Sequence, residues 1–213
     1  MPTARRSADA YDTHPDVARA CVRWLAKEEG HPAPARILDP TAGSGPFVRA
    51  ARECWPASKI AAVDIRGETQ AAAHAAGADL SLTADALKIP AELIAMCDLI
   101  VTNPPFSLAD ALLKHLYPAM HPGAHLAFLL SVTWLGSLDR WDGPCSALVS
   151  APITLLAPIV PRPTFGMKSG PKFECGLFVW KKGHTGPARI PYEPIRWTPP
   201  KRSRKGVPKE TVA

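Results

Sequence analysis

Apolar residues follow two rhythms along this chain. Between 15 and 28 they recur every three or four positions (Val17, Ala20, Cys21, Trp24, Leu25), which predicts an amphipathic helix opened by Thr13 and Pro15 and stopped by Gly30. Beyond it, short apolar runs over 36–39, 59–65, 80–83, 98–102 and 125–132 predict strands. Helical patterns over 47–54, 69–75, 91–96 and 108–120 lie between them. The nearly continuous apolar run at 98–102 suits a central parallel strand. Such βα alternation predicts a doubly wound, mostly parallel sheet with helices on both faces, the Rossmann-like α/β class.

After the fifth strand the pattern changes. A loop and helix over 133–150, a strand over 153–160, a loop over 161–172 and a strand over 173–181 predict an antiparallel hairpin at the sheet edge. The expected total is seven strands. One domain then spans 1–185, followed by a Pro-rich basic tail over 186–213 that can lie against the body through Tyr192, Ile195 and Trp197. The 24 prolines in 213 residues are about twice the usual share. Half of them lie from Pro144 onward, so they shape loops and the tail more than the alternating core.

Composition narrows the class. Hydrophobic residues at 46% and charged residues at 21% fit a globular chain and exclude a disordered one. No apolar stretch reaches membrane-spanning length, and no apolar core of a signal peptide follows Arg5 and Arg6. The five scattered cysteines lack Cys-x-x-Cys spacing, so neither a disulfide framework nor a metal site is expected. A protein of a reducing cytosol is the expectation. Of the net charge of +6, the last fourteen residues carry +4 through Lys201, Arg202, Arg204, Lys205 and Lys209 against Glu210. That tail reads either as a phosphate-seeking arm or as a solubilising terminus.

Candidate chemistry sits at strand ends, where open α/β sheets bind ligands. Asp39-Pro40-Thr41-Ala42-Gly43-Ser44-Gly45 follows the first strand, and its glycines permit close backbone approach. The third glycine of a dinucleotide fingerprint is Val48 here, which disfavours a nicotinamide enzyme. A carboxylate at Asp39 instead suits a ligand bearing an ammonium or sulfonium charge. Asp64, ending the second strand, can accept from ribose hydroxyls, and Asp85, after the third, can meet an adenine edge. Taken singly, each is more often a helix cap than a ligand.

The fourth strand ends in Asn103-Pro104-Pro105-Phe106. Two prolines make a stiff corner without backbone donors, so the Asn103 side-chain oxygen and the Pro104 carbonyl can accept both hydrogens of one planar amine. Holding those hydrogens localises the nitrogen lone pair and activates a poor nucleophile, while Phe106 can stack on the ring that carries it.

With these residues the sequence resembles the class I S-adenosylmethionine-dependent amino-methyltransferases, particularly the small DNA adenine-N6 methyltransferases of bacteria and phages. The resemblance runs from Tyr11 to Lys181. It implies S-adenosylmethionine as cofactor, with Tyr11, Thr13, Asp39, Ala42, Gly43, Gly45, Asp64, Asp85 and Asn103 around it. It further implies Asn103, Pro104, Pro105 and Phe106 as the catalytic motif, and methyl transfer to adenine by direct displacement. His14 stands between Thr13 and Pro15, where the family usually has Thr-Pro.

No segment is long enough for a sizeable target-recognition domain, so loops over 136–145 and 161–172 and the basic tail are the expected nucleic-acid contacts. Arg140, Arg162, Lys168, Lys172, Lys201, Arg202, Arg204 and Lys205 supply the charge, beside Trp141 and Phe165. DNA is preferred to RNA as partner. An RNA adenine or guanine amino-methyltransferase, a protein glutamine methyltransferase and an inactive nucleic-acid-binding module are the alternatives, and neither target sequence nor oligomeric state is indicated.

Overall fold

The computed structural model describes residues 13–28, 33–141, 147–163, 174–191 and 193–199. Among these, α1 (Pro15–Glu28) leads into an alternation of β1 (Arg36–Asp39), α2 (Pro46–Cys54), β2 (Lys59–Asp64), α3 (Gln70–Ala75), β3 (Leu80–Thr83), α4 (Ala91–Ala95), β4 (Leu99–Thr102), α5 (Ala109–Ala119) and β5 (His125–Ser131). Two single-turn segments and α6 (Ala147–Ser150) follow, then β6 (Leu155–Val160), β7 (Cys175–Lys181) and β8 (Ile195–Arg196). The spatial order is β3-β2-β1-β4-β5-β7-β6-β8. β1 to β5 are parallel, and β7 pairs antiparallel with both β5 and β6. The fold is therefore the mostly parallel, doubly wound α/β sheet that the alternation predicts.

Strand alternation divides the apolar residues into two cores. Leu99, Val101, Ala127 and Leu129 face α1 and α2 with Val17, Cys21, Phe47 and Val48. Ile100, Leu126, Phe128 and Leu130 face α5 with Leu112, Leu113 and Leu116. Every residue of β4 and of β5 is buried, so neither strand shows the half-polar alternation of a solvated sheet. Burying each large aliphatic or aromatic side chain contributes about 1.5–3 kcal/mol, which is what holds helices of 5–14 residues in place.

Among the described residues the expected count of seven strands is corrected to eight. The outer edge of β6 carries backbone groups that need partners, and the chain beyond 186 supplies them. Leu156 N–H donates to Arg189 C=O (2.9 Å), Arg189 N–H to Thr154 C=O (3.0 Å), and Trp197 N–H to Val160 C=O (3.2 Å). The hairpin is thus covered at its outer side by β8. Ile195 and Trp197 are buried, as expected for that segment, whereas Tyr192 lies outside the described residues.

Candidate active site

The carboxyl ends of β1, β2, β3 and β4 lie side by side, and polar groups gather there although the strands themselves are apolar. Asp39 closes β1 and is only 2% exposed. Its carboxylate accepts from the Thr41 backbone N–H (3.3 Å) and from the Thr102 hydroxyl at the end of β4. Burial pushes this carboxyl up to about 7; the bonds from Thr102 and Thr41 pull against the rise, and nearby Asp64 adds to it.

A chain of hydroxyls leads from Asp39 to the proline corner. Thr102 Oγ1 is 2.6 Å from Thr41 Oγ1, which lies 3.4 Å from the Asn103 carbonyl oxygen. Each hydroxyl has one proton to donate. While Asp39 is ionised, Thr102 donates to it and Thr41 donates to Thr102, so the charge on β1 sets the hydrogen bonding beside the corner on β4.

The turn after β1 is built by two left-handed glycines, Gly43 (φ 53°) and Gly45 (φ 81°). They serve different ends. Gly43 N–H donates to Asp64 Oδ2 (2.8 Å), and buried Ala42 donates its N–H to Val63 C=O (2.9 Å), which welds the turn to β2. Gly45 caps α2, and a Cβ there would lie 2.7 Å from Ala76 Cβ, so its role is close packing of the turn against α3.

Asp64 is held from four directions. Oδ1 accepts from Arg66 N–H (2.9 Å) and Nε (3.0 Å), while Oδ2 accepts from Gly43 N–H and from Arg66 Nη2 (3.3 Å). Burial alone would raise its pKa, but the bonds from Arg66 and Gly43 outweigh it and hold the carboxyl below the usual carboxylate range. The two backbone donors fix its orientation. The Arg66 guanidinium, partly exposed, adds a second pair of donors. Half-buried Asp85 follows β3 and caps the turn over Ala86–Lys88 by accepting from Leu87 N–H (3.0 Å).

At the corner after β4, Pro104 is buried while Asn103, Pro105 and Phe106 are half-buried. Pro105 C=O accepts from Leu108 N–H (2.8 Å), starting the turn that leads into α5, and Phe106 packs on the α5-side core. Asn103 Nδ2 donates to Thr13 Oγ1 (2.9 Å). Thr13, Asp39, Ala42, Gly43, Gly45, Asp64 and Asn103 are therefore joined through one set of bonds and turns, and Asp85 lies beyond Asp64 on the neighbouring strand. Tyr11 lies outside the described residues.

Of the expected nucleic-acid contacts, Arg140 and Arg162 lie among the described residues. Arg140 donates to Asp110 Oδ1 (2.7 Å) and to the Trp134 carbonyl (2.5 Å), with its guanidinium over the Trp134 ring at 4.8 Å. It braces the segment after β5 against α5. Arg162 pairs with Glu174 (2.5 Å) in an exposed position. Lys168, Lys172, Lys201, Arg202, Arg204 and Lys205 lie outside the described residues. Three site residues escape the sequence reading: Thr41, Thr102 and Arg66. A Thr two positions after Asp39 is a turn signal that could have marked the first; the other two act across strands or through a side chain folding back.

Among the described residues, no cluster of His, Cys, Asp and Glu could hold a metal, and no helix is long and apolar enough to cross a membrane. No protein-family model matches the chain. A 62-residue stretch is 40% identical to the type II methyltransferase M.XamI of Xanthomonas campestris pv. amaranthicola, covering 29% of this chain and 11% of that protein. The fold superposes on a Listeria monocytogenes protein assigned to the class I S-adenosylmethionine-dependent methyltransferases with a TM-score of 0.64, at 15% identity over 92% of this chain and 68% of the other. It also superposes on the methyltransferase subunit of a type I restriction-modification system of Streptococcus thermophilus with a TM-score of 0.61, at 16% identity over 83% and 46% of the two chains. Parallel strands in this order, a glycine turn after the first and a polar corner after the fourth give the chain the fold of the class I S-adenosylmethionine-dependent methyltransferases.

Proposed function

We propose that this protein transfers a methyl group from S-adenosylmethionine to the exocyclic amine of adenine in DNA. The observation that carries the reading is the Asn103-Pro104-Pro105-Phe106 corner, set beside the Asp39 turn with its amide tethered through Nδ2. The stretch of likeness to a type II methyltransferase supports it.

The donor set suits this cofactor. The turn after β1 and the ends of β2 and β3 present carboxylates (Asp39, Asp64 and Asp85) as acceptors for ribose hydroxyls and as counter-charge for a cation. A positive charge near buried Asp39 favours its ionised form, opposing the effect of burial. When bound, the cofactor supplies an electrophilic methyl carbon on a sulfonium.

Asn103 Oδ1 and the Pro104 carbonyl accept the two amine hydrogens and aim the nitrogen lone pair at that carbon. Phe106 offers its ring to the base, and the rigid prolines keep the two acceptors at fixed spacing. Held beside Asp39, Asp64 and Asp85, the cofactor would supply the methyl group and leave as its neutral thioether, while Asn103 Oδ1 and the Pro104 carbonyl would hold the amine protons until one passes to solvent. An adenine reached this way has left its stack, at a cost of a few kcal/mol.

Asn103→Ala tests the reading. Turnover is expected to fall on the order of 10³-fold, with S-adenosylhomocysteine affinity by calorimetry changed only a few-fold. Normal turnover in that variant would overturn the mechanism.

A further inference from the structure

Resemblance places Thr13 among the cofactor contacts, and the structure gives its hydroxyl a partner on the proline corner. Thr13 is 4% exposed and its hydroxyl meets Asn103 Nδ2 across 90 residues of chain. A primary amide has a donor end and an acceptor end, held on opposite sides by its plane. Whichever end is anchored decides what the other can do. With Nδ2 directed at Thr13, the oxygen becomes the end that can accept from a substrate amine. A flipped amide would present N–H donors to another donor, and the corner could not hold its substrate.

Thr13 is itself well fixed. The next residue, His14, opens α1: its carbonyl accepts from Val17 N–H (2.9 Å) and Ala18 N–H (3.2 Å), and its ring Nδ1 accepts from Asp16 N–H (3.2 Å). The His14 ring lies against that of Trp197, with centroids 5.3 Å apart. Trp197 is buried, and its Nε1 donates to the Pro161 carbonyl (2.6 Å). A continuous strut thus runs from the end of β6 through Trp197 and His14 to Thr13 and the Asn103 amide.

We infer that Thr13 is a positioning residue that tethers the Asn103 side chain beside the proline corner, braced from behind by Trp197. This inference rests on the methyltransferase reading above. Thr13→Val keeps the shape and removes the oxygen, whereas Thr13→Ser keeps the oxygen.

The test measures steady-state methylation of adenine-containing oligonucleotides, S-adenosylhomocysteine affinity by calorimetry, and the Asn103 side-chain amide resonances by ¹⁵N NMR. For Thr13→Val the expected result is a kcat roughly 10- to 100-fold lower. Cofactor-product affinity should stay within about 3-fold and the Asn103 amide signals should shift. Thr13→Ser should keep kcat within about 3-fold of wild type, with unshifted signals. Affinity that falls while kcat holds would make Thr13 a cofactor contact and overturn the positioning role. Unchanged turnover and unchanged resonances in Thr13→Val would do the same. A wild-type protein that methylates no acceptor overturns the methyltransferase reading itself, and the functional role with it, while the NMR arm still reports whether the tether exists.

Discussion

The two halves of the sheet are built from opposite materials. Where β1 to β4 end, buried Asp39, Thr102 and Thr13 and half-buried Asp64 and Asn103 hold one another through hydrogen bonds. Across β5 and β7 the interior is aromatic: Phe128 and Trp180 meet edge-on at 5.5 Å, and Trp134 packs against Phe178 at 5.6 Å. Even there the polar handle is satisfied at Trp180, whose Nε1 donates to the Ala151 carbonyl (3.0 Å). The two sides divide the labour. Apolar packing supplies rigidity on one side, and that rigidity is what permits desolvated carboxylates and hydroxyls to be kept on the other.

Substitutions should separate the two halves. Phe128→Ala, at a fully buried position, should cost about 3–5 kcal/mol and lower Tm on the order of 10 °C, as calorimetry would record. Asn103→Ala should leave Tm nearly unchanged while removing turnover, and a large loss of stability there would erase the contrast. Gly45→Ala sits at the joint, combining φ 81° with a 2.7 Å approach to Ala76. It should cost about 2–3 kcal/mol by denaturant titration, and a neutral result would show that α3 can move aside.

A further effect concerns pH. Burial holds the Asp39 carboxyl up at about 7, above its unfolded value of about 3.9. Folded protein keeps this proton where the unfolded chain has released it, so the stability it contributes is complete below about pH 4 and is lost as pH rises through about 7. Asp39→Asn should therefore flatten the dependence of Tm on pH between about 4 and 7. An unchanged slope would assign the titration to another group.

Much of this architecture was legible beforehand, for reasons that differ by element. β1 and β3 match their expected bounds because turn residues flank short apolar runs. β8 was not legible, since two residues among prolines carry no period and exist as a strand only because β6 offers an edge. The 133–150 stretch yields single turns and a four-residue helix, because Trp134 turns inward to the aromatic cluster and Arg140 ties the chain to Asp110. At the site, Asp39 and Asn103 were legible because strand ends position them. The Asp64–Arg66 clasp and the Thr13–Asn103 bond were not. Such partners meet through side-chain direction and tertiary closure, which neither spacing nor composition encodes.

Methyl transfer to adenine in DNA at the Asn103 corner, as proposed, can be tested directly. The most direct measurement incubates the protein and its Asn103→Ala variant with methyl-labelled S-adenosylmethionine and separate pools of DNA, RNA and protein, then digests each and identifies the labelled product. N6-methyladenine is expected in the DNA digest, formed by wild type and not by the variant. Label confined to RNA or protein, no transfer by wild type, or DNA labelled equally by both would contradict it.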